Sequence, residues 1–202
     1  MKPITRPLGW IVSSAAGLVF TLPVVAQTSD DAFSTLPRGE LSSEQIGWYV
    51  NKTFDAMVRA VEDNKALVLV LGESGSSKTI DLGAKVAPCP QINQLAGAAV
   101  FAYGSLDKDE FARRIARSIG ATVVPTIVVL EPRTDQVSVM RRIEGVFDAA
   151  LIASDLRQAL VRGGLWPAGR PEPGPLPQHY LLYPGLGCTH QGAVRLGIVD
   201  PN

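Results

Sequence analysis

The chain is short of cysteine, histidine and charge. Two cysteines and two histidines in 202 residues exclude a disulfide-dense mini-scaffold and leave material for one bridge. Charged residues make up 19%, divided as 19 Lys+Arg against 19 Asp+Glu, so the formal net charge is zero. A neutral chain without basic blocks lacks the electrostatic footprint of phosphate-backbone binding, and nucleic acid is not an expected partner. A disordered chain is excluded as well, because 46% of the residues are apolar. No internal repeat is visible. Once a targeting segment is set aside, roughly 175 residues remain, enough for one domain with a sizeable core and an extension.

What is present begins with that segment. Lys2 and Arg6 precede an uncharged run from Leu8 to Ala26, which closes on Val24, Val25 and Ala26, small residues where a signal peptidase reads. Residues 1–26 are therefore expected to be a cleaved secretory signal and the mature chain periplasmic. The alternative is an uncleaved anchor in the inner membrane, since a bilayer span takes roughly 18–20 apolar residues. Pro23, Gly17 and several hydroxyl residues make it a poor span. On either reading the rest of the chain meets an oxidising compartment without an ATP pool, and membrane contact is expected only through this segment.

Residues 27–41 are polar and turn-rich and read as a linker. Over 42–162 the pattern is that of a folded domain. Ser42 with Gln45 forms a capping box, and Ile46, Val50, Phe54, Met57 and Val61 recur at helical spacing, which predicts a helix ending near Asn64. Residues 66–71 are a continuous apolar run, as expected of a strand buried on both faces of a parallel sheet. After the turn 72–77, a helix is predicted from Lys78 to about Val86, stopping before Pro88, Cys89 and Pro90. Strands follow at 98–103, 126–130 and 137–143, the last antiparallel because its connection is short. Helices are expected after the capping pair Asp107 and Glu110 and from about Asp148 to Val161. Residues 163–202 hold seven of the 15 prolines and eight of the 19 glycines, so they are expected to form an irregular arm. The stretch Pro167 to Pro177 reads as a stiff connector, with polyproline II display to a partner as the other reading. Trp48, Tyr49, Tyr180 and Tyr183 are either core or interface aromatics.

Two motifs resemble one family. Glu73, Ser74, Gly75, Ser76, Ser77 and Lys78 follow the first central strand, and Ala121 to Leu130 place Pro125 at the start of a later strand about fifty residues on. This arrangement is similar to thioredoxin, with Ser74 and Ser77 on the two cysteine positions of Cys-Gly-Pro-Cys and Pro125 at the position of the cis-proline. The resemblance covers roughly residues 44–162 and implies an α/β thioredoxin-like fold, a mixed four-stranded sheet flanked by helices. It also implies what is missing. Serine has no accessible anionic form for disulfide exchange, Glu73 replaces the aromatic residue before the motif, and Val68 stands where the buried proton-transfer acid would be. The dithiol chemistry is not expected, nor is any cofactor or metal. The family's peptide-binding edge remains, with Val124 and Pro125 as contact residues and Ser74 to Ser77 as polar neighbours. An unidentified protein or peptide of the cell envelope is the expected partner. Accessory proteins of secretion or conjugation assemblies contain such domains.

Other readings use the same residues. Gly72 to Thr79 differs from the phosphate loop G-x-x-x-x-G-K-[ST] by Ser77 in place of the second glycine, and Glu131 follows a strand as the acidic partner would. A nucleotide-binding protein with a degenerate loop is thus an alternative. A serine hydrolase is not supported, because Ser74 misses the nucleophile-elbow pattern and both histidines, His179 and His190, lie in the arm. Cys89, Cys188, His179 and His190 form no recognised metal-ligand spacing. The two cysteines can form a staple between domain and arm, which stabilises by up to roughly 4–5 kcal/mol in the chain-entropy model. The enzymatic alternative is a thiol-disulfide oxidoreductase using Cys89 and Cys188, with only Lys85 nearby to lower a thiol pKa. Glu73, Lys78, Arg113, Arg114 and Arg117 are expected to be solvated charges.

Overall fold

The computed structural model describes residues 29–39, 45–133, 135–145 and 148–170. The expected signal, Ser42, Tyr180, Tyr183, Cys188, His179 and His190 lie outside the described residues. Five strands form one mixed sheet in the order β1-β3-β2-β4-β5: β1 (Trp48–Val50), β2 (Ala66–Gly72), β3 (Ala99–Ser105), β4 (Thr126–Leu130) and β5 (Val139–Glu144). β3 runs parallel to β1 and β2, β4 runs antiparallel to β2, and β5 antiparallel to β4. The helices are α1 (Ser29–Ser34), α2 (Thr53–Glu62), α3 (Ser77–Asp81), α4 (Pro90–Asn93), α5 (Glu110–Ser118) and α6 (Ala149–Arg162), and a π-helical segment, Leu82–Val86, continues α3.

The central strands are covered on both faces, which is why their sequences are apolar without alternation. Leu67, Leu69 and Leu71 point to one face, where Ala56, Met57 and Ala60 of α2 and Ala112, Ile115 and Ala116 of α5 close a core. Val68 and Val70 point to the other, under Phe33 of α1, Leu82 and Val86, Ile92 of α4, and Ile152, Leu156 and Leu160 of α6. Each of these leucines, fully buried, contributes about 1.5–3 kcal/mol of transfer free energy. Val68 is therefore an ordinary core residue.

Four expectations are corrected. The helix expected from residue 42 to Asn64 is a strand followed by a shorter helix: β1 pairs in register with β3, and Asn51, with φ of 53°, turns the chain before α2 begins at Thr53. Ile46, Val50 and Phe54 satisfy the helical spacing by coincidence, since Ile46 is packed beside the strand. β1 is also a fifth strand beyond the four expected. In the stretch read as a linker, Ala32 and Phe33 are fully buried, and Phe33 stacks on Tyr103 with ring centroids 4.3 Å apart. The start of α5 is fixed by Asp109, whose carboxylate accepts from Ala112 N–H at 3.0 Å, in place of the expected pair Asp107 and Glu110.

Candidate functional site

The carboxyl ends of β2 and β3 and the amino end of β4 meet at one end of the sheet. Leu71 pairs with Thr126 and Gly72 with Ser105, so continuing the register sets Pro125 level with Gly72. Ser74, Gly75, Ser76, Ser77, Val124 and Pro125 are thereby gathered at that end. The Val124–Pro125 peptide bond is cis. Pro125 is buried, Val124 half-buried, and Val123 is 45% exposed, so this loop presents an apolar side chain to solvent.

The serine loop is tied down by the turn after β3. Ser74 N–H donates to Asp107 Oδ2 at 3.0 Å, and the Ser74 and Ser105 hydroxyls share a hydrogen bond of 3.1 Å. Ser105 N–H in turn donates to Asn51 Oδ1 at 2.8 Å, and Leu106 N–H to the Gly72 carbonyl at 2.8 Å. Ser76 is the N-cap of α3: its Oγ accepts from Thr79 N–H at 3.4 Å, while its own N–H donates to the Glu73 carbonyl at 3.1 Å. Ser77 opens α3 and is exposed. Gly72 is needed where it stands, because a Cβ there would come within 2.4 Å of the Thr79 methyl.

A second network holds the Pro125 loop. Thr126 Oγ1 lies 2.5 Å from the Val123 carbonyl and 3.1 Å from Glu144 Oε1. Arg142 grips the same carboxylate and reaches the Ile119 and Gly120 carbonyls at the end of α5, at 3.1 and 3.3 Å. That hydrogen bond from Arg142 holds the Glu144 carboxyl below its ordinary pKa.

This geometry bears on each chemistry the residues suggested. A phosphate cradle needs free amide groups, but the Ser74, Ser76 and Thr79 amides are engaged internally and the Asp107 carboxylate stands against the loop. Cys89 is 1% exposed and caps α4, beyond the far end of the helical run from Ser77 to Val86. At 1.5 Å rise per residue that run is roughly 15 Å long. Lys85 Nζ pairs with Asp81 at 2.6 Å. Cys188 lies outside the described residues, and with it the pairing. Asn51, Ser105, Asp107, Thr126, Arg142 and Glu144 support the site and are not singled out for it by the sequence, where their bonding partners mostly stand far away; the local signal is the position of Asn51, Ser105, Thr126 and Glu144 at or beside strand ends.

No protein-family model matches the chain, and no curated protein matches it. Among solved structures it is similar to a thioredoxin from Thermus thermophilus, with 22% identity over 59% of this chain and 91% of that one and a TM-score of 0.52. A DsbH oxidoreductase matches at 12% identity, 61% and 92% coverage and a TM-score of 0.47. Thioredoxin f from spinach chloroplast matches at 16% identity, 60% and 98% coverage and 0.43. With the strand order above, the first likeness establishes a thioredoxin-like fold.

Proposed function

We propose that the chain is an exported thioredoxin-like module that binds an extended protein or peptide segment of the cell envelope without dithiol exchange. The observation that carries this is the juxtaposition of the Ser74–Ser77 loop with the Val123–Pro125 loop. The first offers hydroxyls where exchange would need thiolates. The second, held by Thr126, Glu144 and Arg142 and carrying the exposed Val123, stands at the start of β4, where an extended segment would bind in the manner of an extra strand. Export through residues 1–26 and a structural staple between Cys89 and Cys188 belong to the same reading. Burial of Cys89 supports the staple and weighs against the rival reading of an oxidoreductase using those two cysteines. The partner would be a component of an envelope assembly such as a secretion or conjugation apparatus.

The test is a photo-crosslinking amino acid at Val123 in the full chain expressed with its own N-terminus. The expected result is a discrete protein adduct in the envelope fraction that is lost on Pro125→Ala, with no catalysed reduction of insulin. An adduct unchanged in a folded Pro125→Ala variant, or turnover of insulin disulfides, would overturn the proposal.

A further inference from the structure

β2 and β4 run side by side from Leu67 opposite Leu130 to Leu71 opposite Thr126, and β2 ends at Gly72. Past Gly72 the chain bends toward β3. The Gly72 carbonyl accepts from Leu106 N–H, Ser74 N–H donates to Asp107 Oδ2, and the Ser74 hydroxyl meets that of Ser105. The serine loop is thus drawn toward β3, the neighbour of β2 on the side opposite β4. Among the described residues no strand continues β2 beside Val123 and Val124. That strip is where an extended segment would lie.

The turn that draws the loop is itself braced from behind. Asp107 N–H donates to Ser105 Oγ at 3.4 Å, and Arg113 donates to the Leu106 and Asp107 carbonyls at 2.8 and 3.1 Å. Lys108 Nζ pairs with Asp30 of α1. Asp30 is 9% exposed and its Oδ1 has no hydrogen-bond partner among the described residues, so loss of Lys108 would leave that carboxylate buried without an ion pair. The Ser76 and Thr79 amides bond within the loop and its helix, whereas the Ser74 amide is held by a different element. At an exposed position such a bond adds little to stability. Its effect is to fix where the loop stands.

We infer that the turn from Ser105 to Lys108 is a brace, with Asp107 as its positioning residue, that holds the serine loop toward β3 and keeps clear the strip beside Val123 and Val124. The inference rests on the peptide-edge reading above and adds to it the residue that sets the edge. Without the Asp107 bond the loop is free to relax over the strip. A population in which the strip is covered lowers the apparent affinity for a segment in proportion. Through Lys108 and Asp30 the brace extends to α1, the element that follows residues 1–26.

The experiment places the photo-crosslinking amino acid at Val123 of the full chain and compares adduct yield among variants at matched expression. The yield should fall about fivefold on Asp107→Ala, the weight of one hydrogen bond. Asp107→Asn should restore it, because the amide oxygen still accepts from Ser74 N–H. Lys108→Ala should lower the yield as well, and Lys108→Arg, which keeps the ion pair with Asp30, should restore it. Hydrogen exchange on the purified Asp107→Ala variant should be faster at the Ser74 amide and unchanged in β2 and β3, with the thermal melt unaltered. A yield that is lost on Pro125→Ala yet equal on Asp107→Ala would overturn this inference alone. A yield that rises on Asp107→Ala would overturn it too, since the carboxylate would then be a competitor for the Ser74 amide. Failure of Asp107→Asn to restore the yield would assign the effect to charge and not to position. Equal yield on Lys108→Ala would remove α1 from the brace. An adduct indifferent to Pro125→Ala, or no adduct in any variant, would overturn the peptide edge and the brace with it.

Discussion

Single polar residues hold the site end of this domain together. Asp109 is the strongest case: it is 7% exposed, caps α5 through Ala112 N–H and accepts Thr53 N–H at 2.9 Å, so one carboxylate joins the starts of α5 and α2. Asp109→Ala leaves two amide donors unpaired near the core. Loss of a cap costs about 1 kcal/mol and an unsatisfied buried donor a further ~1–3 kcal/mol, so urea denaturation should show a loss of about 3 kcal/mol. Glu144 acts on the Pro125 loop, and its carboxyl titrates below the ordinary value of 4.5 because Arg142 holds the charged form. A folded pKa below the unfolded one means the contribution is fully present above 4.5 and is lost as pH falls through the lowered value. Glu144→Gln should therefore lower the urea midpoint at pH 7, and the gap from wild type should close under acid. A gap independent of pH would show that the charge is not what matters. The serine loop was legible in the sequence because a polar turn between an apolar run and a helix is a local pattern. Its supports were not: Asn51 with Ser105, Thr53 with Asp109 and Thr126 with Glu144 are pairs far apart in the chain, and such bonding leaves no periodicity to read.

Among the elements, the buried strands were the most legible, since β2, β3 and β4 are apolar runs whose type their burial dictates. β1 was not, because three residues are too few to show a period and the spacing of Ile46, Val50 and Phe54 imitates a helix. α1 escaped for a related reason: six residues cannot stabilise a helix alone, so tertiary packing on Phe33 determines it. The π-helical segment shows how close that packing is. A Cβ at Gly83 would lie 2.8 Å from the Phe33 ring. Gly83→Ala should destabilise by about 1–3 kcal/mol, the usual cost of overpacking, despite alanine's better helix propensity of about 1 kcal/mol. Phe33→Ala alone should cost about 3–5 kcal/mol. In the double variant the ring contact disappears and only the Ala32 Cβ, 3.1 Å away, still crowds the new methyl, so Gly83→Ala should cost markedly less than in the wild type. A double-mutant cycle with no coupling would show that α1 does not rest on this segment.

At the scale of the whole molecule, the question is how the Pro/Gly-rich C-terminal stretch joins the domain. Its first residues are already engaged: Leu165 and Trp166 pack against the core, and Arg170 donates to the Ala96 carbonyl at 2.7 Å and the Gln94 carbonyl at 3.3 Å. Arg170 thus fastens the stretch after α6 to the carboxyl end of α4, the helix whose N-cap position Cys89 occupies. A Cys89–Cys188 staple would tie the chain to the amino end of the same helix. The loop so closed would span most of the domain, and the chain-entropy model gives about 4–5 kcal/mol for a loop of that size. Thiol counting on denatured protein should find no thiol before reduction and two after, at monomer mass. Reduction should then lower the unfolding free energy by up to about 4 kcal/mol, and Cys89→Ala should mimic it. Arg170→Ala should cost only about 1 kcal/mol, the net worth of its hydrogen bonds at a half-buried site. Two thiols before reduction would remove the staple, leaving Arg170 and Trp166 as the arm's attachment and reopening the question of what Cys89 does.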